Sequence, residues 1–218
     1  MKSNYSALSV LLLLVACSNP GNESDNTSAS TPAVDTQPEA PAPTAEPTAE
    51  APAGFSKTLA LQGIEFTVES TNAGSINQLT ITPSGLKEDN SIISSEIDGS
   101  VIDAEVADLD ANGSPELYVY VQSAGSGSYG SLVAYAVNNG MSLSAIYLAP
   151  LEDDAINSKG YMGHDQFSVV ENTLARRFPV YNEGDTNASP SGKTRQLEYK
   201  LIPGEAGWQL KLDKSSEL

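Results

Sequence analysis

A single cysteine and a single histidine stand among the 218 residues of the chain. One thiol excludes an internal disulfide and a thiolate-built zinc site, and one imidazole excludes the His-rich clusters of most catalytic metal centres. Bases are scarce too: 11 Lys and Arg face 28 Asp and Glu, a formal charge of −17 near pH 7. That balance argues against nucleic acid as a partner, because neutralising phosphates needs a basic face. The apolar run from Ala7 to Ala16 is too short to span a bilayer. What is abundant is unevenly placed, with 17 Gly and 13 Pro in a chain of which only 18% is charged.

Residues 1–16 read as a signal peptide: Lys2 gives the positive start, Leu11 to Leu14 head the apolar core, and the lone Cys17 follows it. Leu14-Val15-Ala16-Cys17 resembles the bacterial lipobox, which implies cleavage before Cys17, a lipid on its sulfur and attachment to a membrane by more than one acyl chain. Ser18 in place of Asp after the Cys points to the outer membrane. Residues 17–54 then read as a lipidated Cys and a disordered stalk, rich in Ala, Pro, Thr and Glu and without a base beyond Cys17. Such a segment cannot bury enough apolar surface to offset its ordering entropy. Residues 55–218 are long enough to bury a core without a disulfide and carry 22 acids against 10 bases, or −12.

In this domain the hydrophobic period is two. Ile64 to Glu69, Gln78 to Thr82, Leu117 to Val121 and Gln196 to Leu201 alternate or are β-rich, and a C-terminal hairpin ends on Trp208 to Leu212. Gln62-Gly63, Pro83-Ser84-Gly85, Asp98-Gly99, Asn138-Asn139-Gly140 and Pro203 to Gly207 punctuate them as turns. Only Leu151 to Ala155, after Pro150, suits a helical turn. The expectation is an all-β fold, an antiparallel β-sandwich or partly closed barrel, behind a disordered stalk.

Several motifs carry candidate chemistry. Gly125 to Gly130 fits G-x-G-x-x-G, but the next segment, Ser131 to Val137, reads as a strand, so no helix N-terminus is at hand for a pyrophosphate. His164 could serve a hydrolytic triad only if a Ser stood within reach, and its plainer reading is a loop histidine held by a carboxylate or carbonyl. Asp108, Asp110, Asn112 and Glu116 place oxygens at alternate positions around Gly113, as in a Ca²⁺ loop. The EF-hand form needs a Glu at position twelve, where Val119 stands, and flanking helices; an Asx-rich hairpin turn is the other reading. Arg176 and Arg177 are adjacent on a strand and so point to opposite faces, one suited to a structural ion pair and one to the surface; gripping a partner's carboxylates is a further role for either.

The most informative feature is again an absence. No charged residue stands between Glu116 and Glu152, although 32 charges are spread over the domain. Central strands account for part of that stretch. The loop Ser123 to Ser131 is too polar and Gly-rich to be core, yet offers only hydroxyls, backbone and the ring of Tyr129. Glycines let a backbone approach closely and adopt positive φ, and a Tyr supplies rigid contact area with a hydroxyl, so this loop suits insertion into a cleft.

Ser126-Gly127-Ser128-Tyr129-Gly130, with Gly160 to Asp165, Arg176 to Tyr181, Thr194-Arg195-Gln196 and Gly204 to Trp208, resembles the bacterial periplasmic inhibitors of invertebrate-type (i-type) lysozyme. The loop is also similar to that of the membrane-bound inhibitors of chicken-type lysozyme. The resemblance implies a non-enzymatic inhibitor whose loop plugs a lysozyme cleft, Ser126 and Tyr129 making the contacts and Gly127, Ser128 and Gly130 shaping the loop. It implies lysozyme as the partner and a place in the cell envelope. From the residues themselves, His164, Arg176 and Arg177 are candidate partner contacts, no cofactor is expected unless Ca²⁺ binds at Asp108 to Glu116, and a calcium-dependent or other envelope binding module using that loop is the alternative function. A homodimer is left open. The lipobox and stalk depart from the soluble periplasmic form usual in that family.

Overall fold

Strand side chains point to opposite faces in turn, and where only one face is buried this produces the alternation of period two. The computed structural model describes residues 54–218. The expected signal peptide, Cys17 and all of the stalk but Gly54 lie outside them. Twelve strands make up the architecture: β1 (Phe55–Leu61), β2 (Ile64–Ser70), β3 (Ile76–Ser84), β4 (Ile93–Asp98), β5 (Ser100–Ala107), β6 (Glu116–Gln122), β7 (Gly130–Asn138), β8 (Ser142–Leu148), β9 (Gln166–Val170), β10 (Thr173–Pro179), β11 (Thr194–Gly204) and β12 (Gly207–Glu217). There is no α-helix among the described residues; Leu151–Asp153 form one 3₁₀ turn where a helical turn is expected.

Strands β1 to β4 form an antiparallel sheet in chain order, and β5 to β12 form an eight-stranded sheet in the order β5-β6-β7-β8-β12-β11-β10-β9. Its one parallel pair is β8 with β12. The larger sheet curls until its edge strands meet, giving a nearly closed barrel. A side chain bridges the gap: the Glu105 carboxylate on β5 accepts the Val169 N–H at 2.8 Å and the Tyr120 hydroxyl. Sandwich and barrel are thus both present, because the four-stranded sheet packs on the outside of the curled one. Asp98-Gly99, read from sequence as one more turn between paired strands, is instead the corner where the chain changes sheets, β4 pairing with β3 and β5 with β6.

Strand β6 belongs to two cores at once. Leu117, Val119 and Val121 enter the layer between the sheets with Phe66, Val68, Leu79 and Ile81. Tyr118 and Tyr120 point the other way, into the barrel, against Leu174, Phe178, Leu197 and Tyr199. Each such apolar side chain removed from water contributes roughly 1.5–3 kcal/mol. No face of Glu116 to Val121 reaches solvent, which is why the charge-free stretch begins here. The seven residues of β6 rise about 20 Å. The Asp108 loop enters at one end and the Ser126 loop leaves at the other.

Candidate functional site

The β6–β7 connection, residues 123–129, is a hairpin tip closed by its own polar groups. The Ser123 N–H donates to the Tyr129 carbonyl at 2.9 Å, the Tyr129 N–H to Ser123 Oγ at 3.0 Å, and the Ser128 N–H to the Gly125 carbonyl at 2.9 Å. Positive φ falls on Ser128, at 44°, and not on Gly127. Gly127 is required for a different reason: a Cβ there would stand 2.4 Å from Cε2 of Tyr129, whose ring lies against the glycine.

Two neighbouring segments hold this tip from outside. The His164 N–H donates to the Gly127 carbonyl at 2.7 Å, and Asn187 Nδ2 donates to the Ser126 carbonyl at 2.5 Å. The His164 ring meets Asn187 Oδ1 through Nε2 at 3.1 Å, and the Tyr181 hydroxyl donates to the Asn187 carbonyl at 2.9 Å. Gly163, with φ +90°, lets the backbones touch: a Cβ there would lie 2.1 Å from the Gly127 carbonyl oxygen.

The base of the loop is fixed by a buried ion pair. Asp165 Oδ2 accepts the Gly130 N–H at 2.7 Å and the Tyr161 hydroxyl at 2.6 Å, while Oδ1 takes Arg176 Nε at 2.7 Å. Arg176 Nη2 also donates to the Tyr161 hydroxyl at 2.8 Å, and the guanidinium lies over the rings of Tyr161 and Phe167. Burial disfavours the Arg176 charge, but the Asp165 carboxylate more than restores it, so its pKa stands above the ordinary value. Burial, with the bond to Asp165, pushes the Tyr161 hydroxyl up as well. Tyr161 then meets the Tyr129 ring edge-on, 5.6 Å between centroids.

What remains free is narrow in chemistry. Ser126 and Tyr129 are exposed, Tyr129 by 47%, whereas Gly127, Ser128 and Gly130 are partly covered. The tip therefore presents two hydroxyl side chains, one aromatic ring and peptide groups, with no charge of its own. Beside Tyr129 lies a cleft of about 360 Å³, lined in part by Leu132, Tyr147, Pro150, Glu152 and Phe167.

Of the residues considered for partner contact, Arg176 is 6% exposed and spent on Asp165, so it positions the loop from behind and is not at the surface. Arg177 points the other way and donates to Gln196 and Ser168. The His164 ring bonds Asn187; among the described residues no serine is bonded to it. Tyr161, Asp165 and Asn187 were not singled out from sequence as loop supports. Tyr161 and Asp165 lie in the same Gly-rich segment as His164, while nothing near Asn187 signals its role.

At the other end of β6, one carboxylate oxygen each from Asp108, Asp110 and Glu116 lie within 4.8 Å of one another. Asn112 is drawn in too, its Nδ2 donating to Asp110 Oδ2 at 2.8 Å and its Oδ1 accepting the Ser114 N–H at 2.7 Å. Burial pushes the Glu116 carboxyl up to about 7, against the Leu109 N–H bond that lowers it, and Asp110 and Asp108 add to the rise.

Residues 90–159 match the model of a family described as periplasmic lysozyme inhibitor of I-type lysozyme. The chain resembles that family over this stretch of 70 residues among 218. The stretch contains the exposed hairpin tip and the Asp108 loop, and stops before Asp165 and Arg176. No curated protein and no solved structure matches the chain.

Proposed function

We propose that this chain is a protein inhibitor of lysozyme, of the i-type first, and that it acts by placing the Ser126 to Gly130 loop in the catalytic cleft. The observation that carries the reading is an exposed, uncharged Ser126–Tyr129 tip, tied down by Asn187, His164 and Asp165, inside the stretch that matches the inhibitor family. Glycosidase clefts of this kind work with two carboxylates flanking the scissile bond. A plug for such a cleft needs donors and no negative charge, which the two hydroxyls and the loop N–H groups provide. Ordering of the tip before binding removes part of the entropy cost of association. The rest of the domain, at −12, attracts a cationic lysozyme from a distance while the neutral tip avoids repulsion at contact.

The chain's place is the bacterial cell envelope, where such an inhibitor protects the wall. Lipid on Cys17 and a stalk to residue 54 would hold the domain off the outer membrane while leaving the tip free. The test is a titration of i-type, chicken-type and goose-type lysozymes with the purified protein, alongside the Ser126→Ala, Tyr129→Ala double variant. A hydrogen bond to a charged group is worth about 1.5–3 kcal/mol, so each substitution should weaken inhibition roughly tenfold or more. The melting temperature should hardly move, because both side chains are exposed. Full inhibition by the folded double variant would remove the loop from the mechanism.

A further inference from the structure

Glu116 is completely buried, at 0% exposure, and its Oε1 has no hydrogen-bond partner. Its other oxygen is occupied, accepting the Leu109 N–H at 2.8 Å and the Tyr118 hydroxyl at 3.4 Å. A buried oxygen without a partner costs its full desolvation, and a carboxylate near two others adds repulsion. Asp108 and Asp110 supply that repulsion, each offering an oxygen within the same 4.8 Å cluster. A divalent cation among the three relieves both costs.

We propose that the Asp108 to Glu116 loop is a Ca²⁺ site, held by Asp108, Asp110, Asn112 and Glu116, that fastens the two sheets together at the end of the molecule away from the Ser126 tip. The donor set is all oxygen, which selects a hard cation, and a loop of side chains on one segment suits the adaptable coordination of Ca²⁺ better than the strict octahedron of Mg²⁺. Position twelve of the loop is Val119, buried between the sheets, so Glu116 at position nine takes the place of the closing acid. Asp108 Oδ2 also accepts Gln62 Nε2 at 2.6 Å, from the β1–β2 turn. Occupancy therefore bears on the packing of one sheet against the other, and its readout is stability, independent of lysozyme inhibition.

The experiment strips the purified chain with a chelator and follows thermal unfolding against added CaCl₂, with MgCl₂ as the control for charge and ionic strength. For dissociation constants of about 10⁻⁴–10⁻³ M, usual in extracellular calcium modules, ~10 mM Ca²⁺ should raise the melting temperature by roughly 3–10 °C. Tb³⁺ should bind in its place and luminesce on tyrosine excitation, because the Tyr118 hydroxyl is 3.4 Å from Glu116 Oε2. In Asp110→Asn, at a position less buried than Glu116, the Ca²⁺ needed for half the shift should rise at least tenfold, and Glu116→Gln should lose the shift. If Glu116→Gln does not fold, Asp110→Asn decides. No calcium-dependent rise in the native chain, or a rise of the same size with MgCl₂ or in Asp110→Asn, overturns the site.

Discussion

Replacing either partner of the Asp165–Arg176 pair should damage the fold more than replacing both. The pair is as dry as any in the domain, with side-chain exposures of 0% for Asp165 and 7% for Arg176. Arg176→Met strands a carboxylate that keeps only the Gly130 N–H and the Tyr161 hydroxyl, and Asp165→Leu strands a guanidinium among aromatic rings. Breaking a buried pair from one side costs about 3–5 kcal/mol. At roughly 2–4 °C per kcal/mol for a domain of this size, each single variant should melt roughly 6–20 °C lower. The double variant leaves no buried charge, and Met can pack where the guanidinium lay over Tyr161 and Phe167. A double-mutant cycle on denaturant-unfolding free energies should therefore return a coupling larger than either single loss, above about 3 kcal/mol. Inhibition separates fold from loop: the double variant still lacks the acceptor for the Gly130 N–H, so it should inhibit about tenfold less well despite its recovered stability. Additive single effects would refute the buried pair, and wild-type inhibition by the double variant would refute its hold on the loop.

Much of this arrangement could be read from residue order alone, and what could not has identifiable reasons. Alternating segments such as Ile64 to Glu69 predict strands because one face of β2 is buried and the other is not. Strand β6 was legible as a strand from its β-branched and aromatic content, but not as the strand shared by two cores, which depends on what packs on each face. The sheet change at Asp98-Gly99 was read as one more turn, since a turn motif says that the chain bends and not which strand it will pair with. At the tip, Ser126 and Tyr129 stood out by type and neighbourhood, and both are exposed. Of the two uses of glycine expected in the loop, close approach holds at Gly127, which lies against the Tyr129 ring, while positive φ falls on Ser128; which use a given glycine serves is decided only once the loop has folded. Asp165 and Arg176 are 11 positions apart in sequence, and their pairing comes from β9 and β10 lying side by side, a relation no local pattern carries.

Two further predictions concern the anchor and the glycines of the tip. If Cys17 carries the lipid, Cys17→Ala should move the protein from the membrane fraction to the soluble one, and a variant that still sediments with membranes would remove the lipoprotein reading. The glycines test whether the target reads the placement of the Tyr129 ring. A Cβ at Gly125 meets nothing within 4 Å, so Gly125→Ala should leave the loop in place and sets the baseline for adding a methyl. Gly127→Ala drives a Cβ to 2.4 Å from the Tyr129 ring, which is half-exposed and free to swing away; stability should stay near the baseline while inhibition falls about tenfold. Gly163→Ala puts a Cβ 2.1 Å from the Gly127 carbonyl at φ +90°, where backbone and not a mobile ring must yield. It should cost more than about 1 kcal/mol of stability and displace the whole tip, giving the weakest inhibitor of the three. Equal inhibition by Gly125→Ala and Gly127→Ala would mean that the lysozyme cleft does not sense where the Tyr129 ring points, and that the hydroxyl of Ser126 and the loop backbone carry the contact without it.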